Sequence, residues 1–247
     1  MKVLSFINHK GGTAKTTSTL NIGAILAKKG YKTLLIDLDS QANLTEGVGV
    51  YNPDATLYDT YKKRVPVPVV SVEHNLDVIP TSLDLAYFET EIINEQYREK
   101  VLKKMIGQII EKYDYVLIDC SPSLNILVIN ALEITDYVFI PVEAEYYAYR
   151  GLERILGILK NVQENSNSKL DLGGIFLTKY NSTRSISAEI KEQIKNQYST
   201  NLMDSMIRIS VKATESQIEG KPLIYFSEDS PITKDYIALT EEILNRI

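Results

Sequence analysis

Apolar runs of strand length recur along this chain, separated by longer stretches of mixed character. Lys2–Ile7 (KVLSFI), Thr33–Ile36 (TLLI), Tyr115–Ile118 (YVLI), Tyr137–Pro141 (YVFIP) and Gly174–Leu177 (GIFL) are apolar almost throughout. A strand with one face in water alternates apolar and polar positions, whereas near-continuous runs belong to strands covered on both faces. Residues 16–29 (TTSTLNIGAILAKK) place Leu20, Ala24 and Ala27 on one helical face, with Gly30 as the stop. Further helices are predicted at 91–112, 146–164 and 184–198. Residues 51–82 are less regular, with Pro53, Pro66, Pro68 and Pro80, and contain one more strand candidate at Leu76–Ile79. Strands alternating with helices predict an α/β fold: an open, mostly parallel sheet with helices on both faces. No repeat, low-complexity tract or linker divides the sequence, so residues 1–247 are expected to form a single domain.

Composition narrows the classes. The chain has 247 residues, 44% apolar and 24% charged, which is ordinary globular usage and excludes a disordered or fibrous protein. Lys and Arg number 27 against 32 Asp and Glu, a net charge of −5. A surface coated in positive charge for nucleic acid is excluded, but a local basic patch is not. Cys120 is the only cysteine, so an intrachain disulfide or a two-cysteine metal site is impossible. The N-terminus reaches a Gly-rich segment after one strand length, too soon for a signal peptide. No apolar run approaches the ~18 residues of a membrane span. A cytoplasmic protein is expected.

The chemistry starts directly after the first strand, at His9-Lys10-Gly11-Gly12-Thr13-Ala14-Lys15-Thr16-Thr17, which leads into the first helix. A Gly-rich loop between a strand and a helix surrounds phosphate oxygens with backbone N–H groups. Lys15 is placed to reach the β- and γ-phosphates, and the Thr16 hydroxyl to ligate Mg²⁺. The general phosphate-loop pattern has Gly where His9 and Ala14 stand. Three acidic residues, Asp37, Asp39 and Asp119, close predicted strands at their C-terminal ends, where open α/β sheets place their ligands. Carboxylates beside a triphosphate need a metal between them, so Thr16, Asp37, Asp39 and Asp119 are the candidate Mg²⁺ residues. Cys120 reads as a small buried residue; only His9 and His74 exist in the chain, and neither is near it in sequence.

The second lysine of the loop is diagnostic. KGGTAKTT resembles the deviant Walker A box, KGGxGKTT, of the ParA/MinD group of P-loop ATPases. The resemblance implies that Lys10 crosses a nucleotide-sandwich dimer to the partner's ATP phosphates, and that Lys10, Gly11, Gly12, Thr13, Ala14, Lys15, Thr16 and Thr17 form the ATP loop. Ala14 departs from the family's Gly; if the position needs positive φ, alanine is strained there. LIDLDSQAN resembles the family's DxDPQgN segment, which assigns Asp39 to the attacking water and the magnesium shell, with Ser40 replacing Pro. Asp119-Cys120-Ser121-Pro122-Ser123-Leu124 resembles the DxPPslg switch. VEAEYYAYRGLERIL is similar to the family's PxEYYALEGLxxLL helix start, with its tyrosines as packing groups. GIFLTKYNSTR is similar to GVVLTMYDSRT, which implies base and ribose contacts at Lys179 and Asn181. VKATESQIEGKPL is similar to VRLSEAPSHGKPI, putting Lys212 on the family's arginine position. Together these segments point to a short ParA of the Soj type.

Residues 179–221 hold seven basic and five acidic side chains in a chain of net charge −5. Doubled in a dimer, this patch could hold DNA without reading sequence, through Lys212, Arg184 and Lys191. A MinD-like membrane-associated positioning ATPase is the alternative. The C-terminal segment PITKDYIALTEEILNRI has an apolar stripe (Ile232, Tyr236, Leu239, Ile243, Ile247) but an acidic polar side (Asp235, Glu241, Glu242) that anionic lipid would repel. It therefore reads as a helix docked on the core. Cluster-carrying relatives need more than one cysteine. The function expected from the resemblance is a Mg²⁺-dependent ATPase, slow and partner-stimulated. Its catalytic residues would be Lys10, Lys15 and Asp39. It would be a homodimer on ATP, bound to nonspecific double-stranded DNA in the nucleoid, and would segregate plasmid or chromosomal DNA with a ParB-like centromere-binding protein.

Overall fold

The computed structural model describes residues 1–144, 148–181, 183 and 185–247. Its elements are β1 (Lys2–Phe6), α1 (Lys15–Lys28), β2 (Thr33–Leu38), α2 (Asn43–Gly47), α3 (Leu57–Lys63), β3 (Val70–Glu73), β4 (Leu76–Ile79), α4 (Leu85–Ile92), α5 (Val101–Ile110), β5 (Tyr115–Cys120), α6 (Ile126–Leu132), β6 (Tyr137–Glu143), α7 (Ala148–Asn165), β7 (Asp171–Tyr180), α8 (Ser185–Tyr198), β8 (Leu202–Arg208), α9 (Val211–Ile218), α10 (Leu223–Phe226) and α11 (Pro231–Arg246). Among the described residues the eight strands form one sheet, ordered β3-β4-β2-β5-β1-β6-β7-β8. All pairings are parallel except the hairpin of β3 with β4 at one edge.

Burial explains why the strand sequences lack alternation. All six residues of β2 are buried. Successive side chains feed two different cores: Leu34 and Ile36 join one, Leu35 the other, and likewise Val116 and Ile118 against Leu117. One core lies under α5, α6 and α7, and the second under α1 and α11. The C-terminal stripe behaves as expected for core docking: Ile232, Tyr236, Leu239 and Ile243 are buried in the second core, with Ile247 packed against it.

Two departures from the sequence expectation have physical causes. The helix anticipated over 91–112 is broken. The α4 helix ends at Ile92, Tyr97 adopts φ 59°, and a short 3₁₀ turn at Arg98–Lys100 leads into α5. Residues 93–98 are all exposed, so no buried face holds that stretch in a helix, and a left-handed residue ends the run. The edge strands β3 and β8 lie outside the predicted set, because an edge strand with polar positions carries a weak apolar signal. For the site, the useful consequence is that β1, β2, β5, β6 and β7 end side by side at one edge of the sheet.

Candidate functional site

At that edge the loop after β1 is pinned from below. The Asn8 amide donates to the Pro141 carbonyl (2.7 Å) and its oxygen accepts from Lys10 N–H (3.0 Å). The Thr178 hydroxyl donates to the Thr13 carbonyl at 3.1 Å. Thr13 itself is buried beneath the loop, with its hydroxyl on the Lys10 carbonyl. The α1 helix starts without a side-chain cap and without an acidic residue in its first turn. Its leading N–H groups thus face the cleft as a ready anion site. Eleven of its fourteen residues are buried, so this anion site sits on a rigid support.

Ala14 takes φ 65° and ψ 29°, the left-handed conformation that the sequence made conditional. A non-glycine residue is held there at a cost of about 1–2 kcal/mol. Ala14→Gly is therefore expected to raise the thermal midpoint by about 2–4 °C per kcal/mol recovered. Thermal unfolding checks this, and a midpoint unchanged or lowered would show that the loop carries no such strain. Ala42, in the loop after β2, is a second alanine in the same conformation, with φ 55°.

The two strand-end aspartates sit opposite one another in the β2–β5 register, Asp37 beside Asp119. Both are fully buried. Asp37 accepts from Thr45 N–H (2.9 Å) and the Thr45 hydroxyl (2.7 Å) through one oxygen, and from Asp39 N–H (3.1 Å) through the other. Its carboxyl fastens the 38–47 segment to the sheet. Burial raises it to about 6, against the lowering effect of those hydrogen bonds. Asp119 accepts the Thr16 hydroxyl at 2.6 Å on one oxygen, while its other oxygen is buried with no hydrogen-bond partner among the described residues. Burial first, and then the charge of Asp37, push its carboxyl well above the usual range; Thr16 and Lys15 act the other way. An orphaned carboxylate oxygen beside a threonine hydroxyl fits a hard cation, and Thr16 with Asp119 could hold Mg²⁺. No three acidic, imidazole or thiol groups converge on one ion position among the described residues. Mg²⁺, which keeps several waters, does not need them. Cys120 is fully buried and its thiol is driven far up by burial, so it is inert as expected.

Lys15 is buried, and its ammonium donates to the Lys10 carbonyl at 3.3 Å. Desolvation lowers its pKa, while Asp119, Cys120 and Asp39 oppose that. Lys10 points elsewhere: its ammonium lies 3.3 Å from one oxygen of Glu143, at the end of β6. Lys179, with φ 50°, lies 3.3 Å from the other oxygen of Glu143. The Lys179 ammonium also stands 3.7 Å from where a Cβ would project on Gly12. It therefore lies at the loop end of the cleft, whereas Asn181 is engaged in holding the Thr183 turn. His9 packs on α7 against Gly151: a Cβ there would meet its imidazole, so a larger residue at 151 would displace the His9 side chain. Partial burial, and then the charges of Arg154, Lys15 and Lys10, hold His9 below its usual range.

A cleft of about 730 Å³ runs from the loop to α9. Of the predicted residues, Gly11, Gly12, Ala14, Lys15, Thr16, Thr17, Asp39 and Lys179 line it, whereas Lys10, Thr13, Asp37, Asp119 and Asn181 are not part of its lining. Its far end is built from Ile207, Ile209, Ala213 and Ile218, an apolar surface of the kind that takes a planar base. Gln217 of α9 donates to the Thr17 hydroxyl at 3.0 Å, tying that wall to the loop. The sequence did not single out Glu143 or Gln217. Glu143 obeys the same strand-end rule that picked out the aspartates, but nothing local marks Gln217.

The basic segment is less free than its composition suggests. Arg208 is bound by Asp235 through two hydrogen bonds of 2.7 and 2.8 Å. Lys212 is exposed on the first turn of α9, 2.7 Å from Glu215. Lys191 is half-buried on α8, and Arg184 lies outside the described residues, as do Tyr146 and Tyr147.

A family model described as an AAA domain matches residues 1–172. The chromosome-partitioning ATPase Soj of Treponema pallidum is 38% identical over 248 residues, covering 99% of this chain and 98% of that protein. The chromosome partitioning protein ParA of Caulobacter vibrioides is 33% identical, covering 100% of this chain and 95% of that one. Among solved structures, cobyrinic acid a,c-diamide synthase from Mycobacterium smegmatis, with bound ATP analog and magnesium, superposes with a TM-score of 0.83 at 28% identity, covering 99% and 95% of the two chains. A putative plasmid partition protein from Borrelia burgdorferi bound to AMPPNP gives 0.83 at 26%, covering 100% and 99%. Matched end to end at these identities, the chain belongs to the Soj/ParA family of partition ATPases.

Proposed function

We propose that this protein binds ATP with Mg²⁺ in the cleft, closes into a sandwich dimer through Lys10, and in that state holds double-stranded DNA without sequence preference. Slow hydrolysis, stimulated by a ParB-like centromere-binding partner, then releases the DNA, so that a plasmid or chromosomal cargo is moved. The supporting observation is the uncapped start of α1 beside a buried Lys15 and the Thr16–Asp119 pair. Together they supply N–H donors, a desolvated cation and a metal position for one triphosphate. In this reading Lys15 neutralises charge at the γ-phosphate, Thr16 and Asp119 would hold an Mg²⁺ that would supply further charge neutralisation there, and Asp39, on the cleft wall, orients the attacking water. Asp37 would keep the Asp39 loop in register. The membrane alternative loses its main support, because the apolar stripe of α11 is buried in the core. No helix among the described residues is long and apolar enough to cross a membrane. The test is the ATPase rate with nonspecific double-stranded DNA or with anionic lipid vesicles. Stimulation by DNA supports partition; stimulation by vesicles alone overturns it.

Lys212 separates DNA binding from ATP chemistry in this scheme. Its ammonium is exposed and its partner Glu215 is a surface residue, so that pair contributes little and can be exchanged for a phosphate. Each phosphate that a lysine no longer neutralises lowers the salt slope by about one unit, and a symmetric dimer carries the residue twice. Lys212→Glu is expected to bind ATP and dimerise normally but lose most nonspecific DNA affinity at moderate salt. A DNA titration at several salt concentrations checks this. Parental affinity and slope would make Lys212 an ordinary surface lysine.

A further inference from the structure

The nucleotide cleft occupies the C-terminal edge of the strands. At the opposite edge a second cavity, of about 800 Å³, opens between α5, the end of α6 and the loops ahead of β3, β6 and β7. Its floor includes Glu133, Thr135 and Asp136, and its rim carries Lys103, Lys104 and Lys169 together with one acid, Glu111. Most of the floor is already satisfied. Asp136 accepts from Val3 N–H (2.8 Å), the Thr135 hydroxyl bonds Ser5 (2.6 Å) and the Ala131 carbonyl (2.7 Å), and the Asn167 amide closes on the Leu132 and Thr135 carbonyls (both 2.8 Å).

Glu133 is the exception. It is 4% exposed, yet its Oε1 is buried with no hydrogen-bond partner among the described residues. It also stands at the C-terminal end of α6, where the helix dipole favours a cation and disfavours a carboxylate. A buried, unpartnered acid at a negative helix end is costly twice over, and a single cationic donor relieves both penalties. The three exposed rim lysines, which outnumber the single rim acid Glu111, set the other half of the requirement, since on balance they disfavour a ligand that is cationic throughout and favour one with an acid nearby.

We propose that this cavity is a binding site for an amphoteric ligand, one whose guanidinium or ammonium meets Glu133 while a carboxylate faces Lys103 and Lys169. A free basic amino acid and a basic side chain in an acidic segment of a partner protein share that chemistry. Isothermal calorimetry on the intact protein separates them with three probes: L-arginine, agmatine (the same cation without the carboxylate) and acetyl-Asp-Arg-Glu-amide. Arginine or the peptide is expected to bind, and the tighter of the two identifies the source, with agmatine weaker than either. Glu133→Gln is expected to weaken binding about tenfold or more, as befits removal of a charge-assisted hydrogen bond. It should leave the ATPase rate without probes unchanged. The exposed double variant Lys103→Gln/Lys169→Gln should weaken arginine but not agmatine, and provides the test even if Glu133→Gln does not fold. Absence of heat with every probe, as for a carboxylate satisfied by water alone, overturns the proposal. So does undiminished binding by both variants.

Discussion

Lys15→Gln is expected to abolish productive ATP binding while the fold survives. The residue is buried at the base of the cleft, at the start of a helix whose N–H groups already face the ligand. Glutamine keeps length and polarity but removes the charge that a desolvated triphosphate needs opposite it. Truncating one member of a buried charge pair costs about 2–5 kcal/mol, so a loss of at least about 30-fold in affinity is anticipated. Lys10→Ala should behave differently. Its side chain is 43% exposed and directed to Glu143, off the cleft lining, so nucleotide binding by a single chain should be largely intact. ATP-dependent dimerisation should fail. Nucleotide titration, with light scattering on a slowly hydrolysed ATP analogue, separates the two effects. Full dimerisation by the Lys10 variant would sink the sandwich arrangement.

Asp39→Ala should trap the opposite state. The Asp39 backbone N–H is bonded to Asp37, and among the described residues its side chain accepts only Gln41 N–H at 3.1 Å, so the carboxylate stands at the cleft wall without a heavy structural duty. Its removal leaves the phosphate loop intact. Hydrolysis should slow by about 10²-fold or more, the scale of a missing proton-handling group, with little change in binding. The variant should then accumulate as an ATP-bound dimer. A single-turnover rate equal to the parent's would remove Asp39 from the chemistry.

The parallel core of the fold was legible because buried strands are written as uninterrupted apolar runs, and β1, β2, β5 and β6 each fell on one. What stayed hidden is what depends on partners distant in sequence. The break between α4 and α5 follows from a stretch with nothing to pack against, which no local pattern announces. The loop glycines and Lys15 could be read directly, since their chemistry lies in consecutive residues. The condition attached to Ala14 could only be settled by its φ of 65°. The orphaned oxygen of Asp119 and the Gln217–Thr17 bond join positions far apart in the chain, and so belong to the tertiary structure alone.

Glu143 offers one oxygen to Lys10 and the other to Lys179, both at 3.3 Å, from the end of the strand beside the loop. The site therefore carries a resident counter-ion. In the proposed sandwich dimer, two copies meeting face to face would not first present bare ammonium groups to one another, so part of the mutual repulsion of their loops would already be screened. Under the proposed function, closure of two copies on nucleotide would be an exchange of anions, in which Glu143 gives up Lys10 to the multiply charged phosphate group bound by the other copy. The electrostatic gain is the difference between the two, which is large for a triphosphate and close to nothing for a singly charged anion.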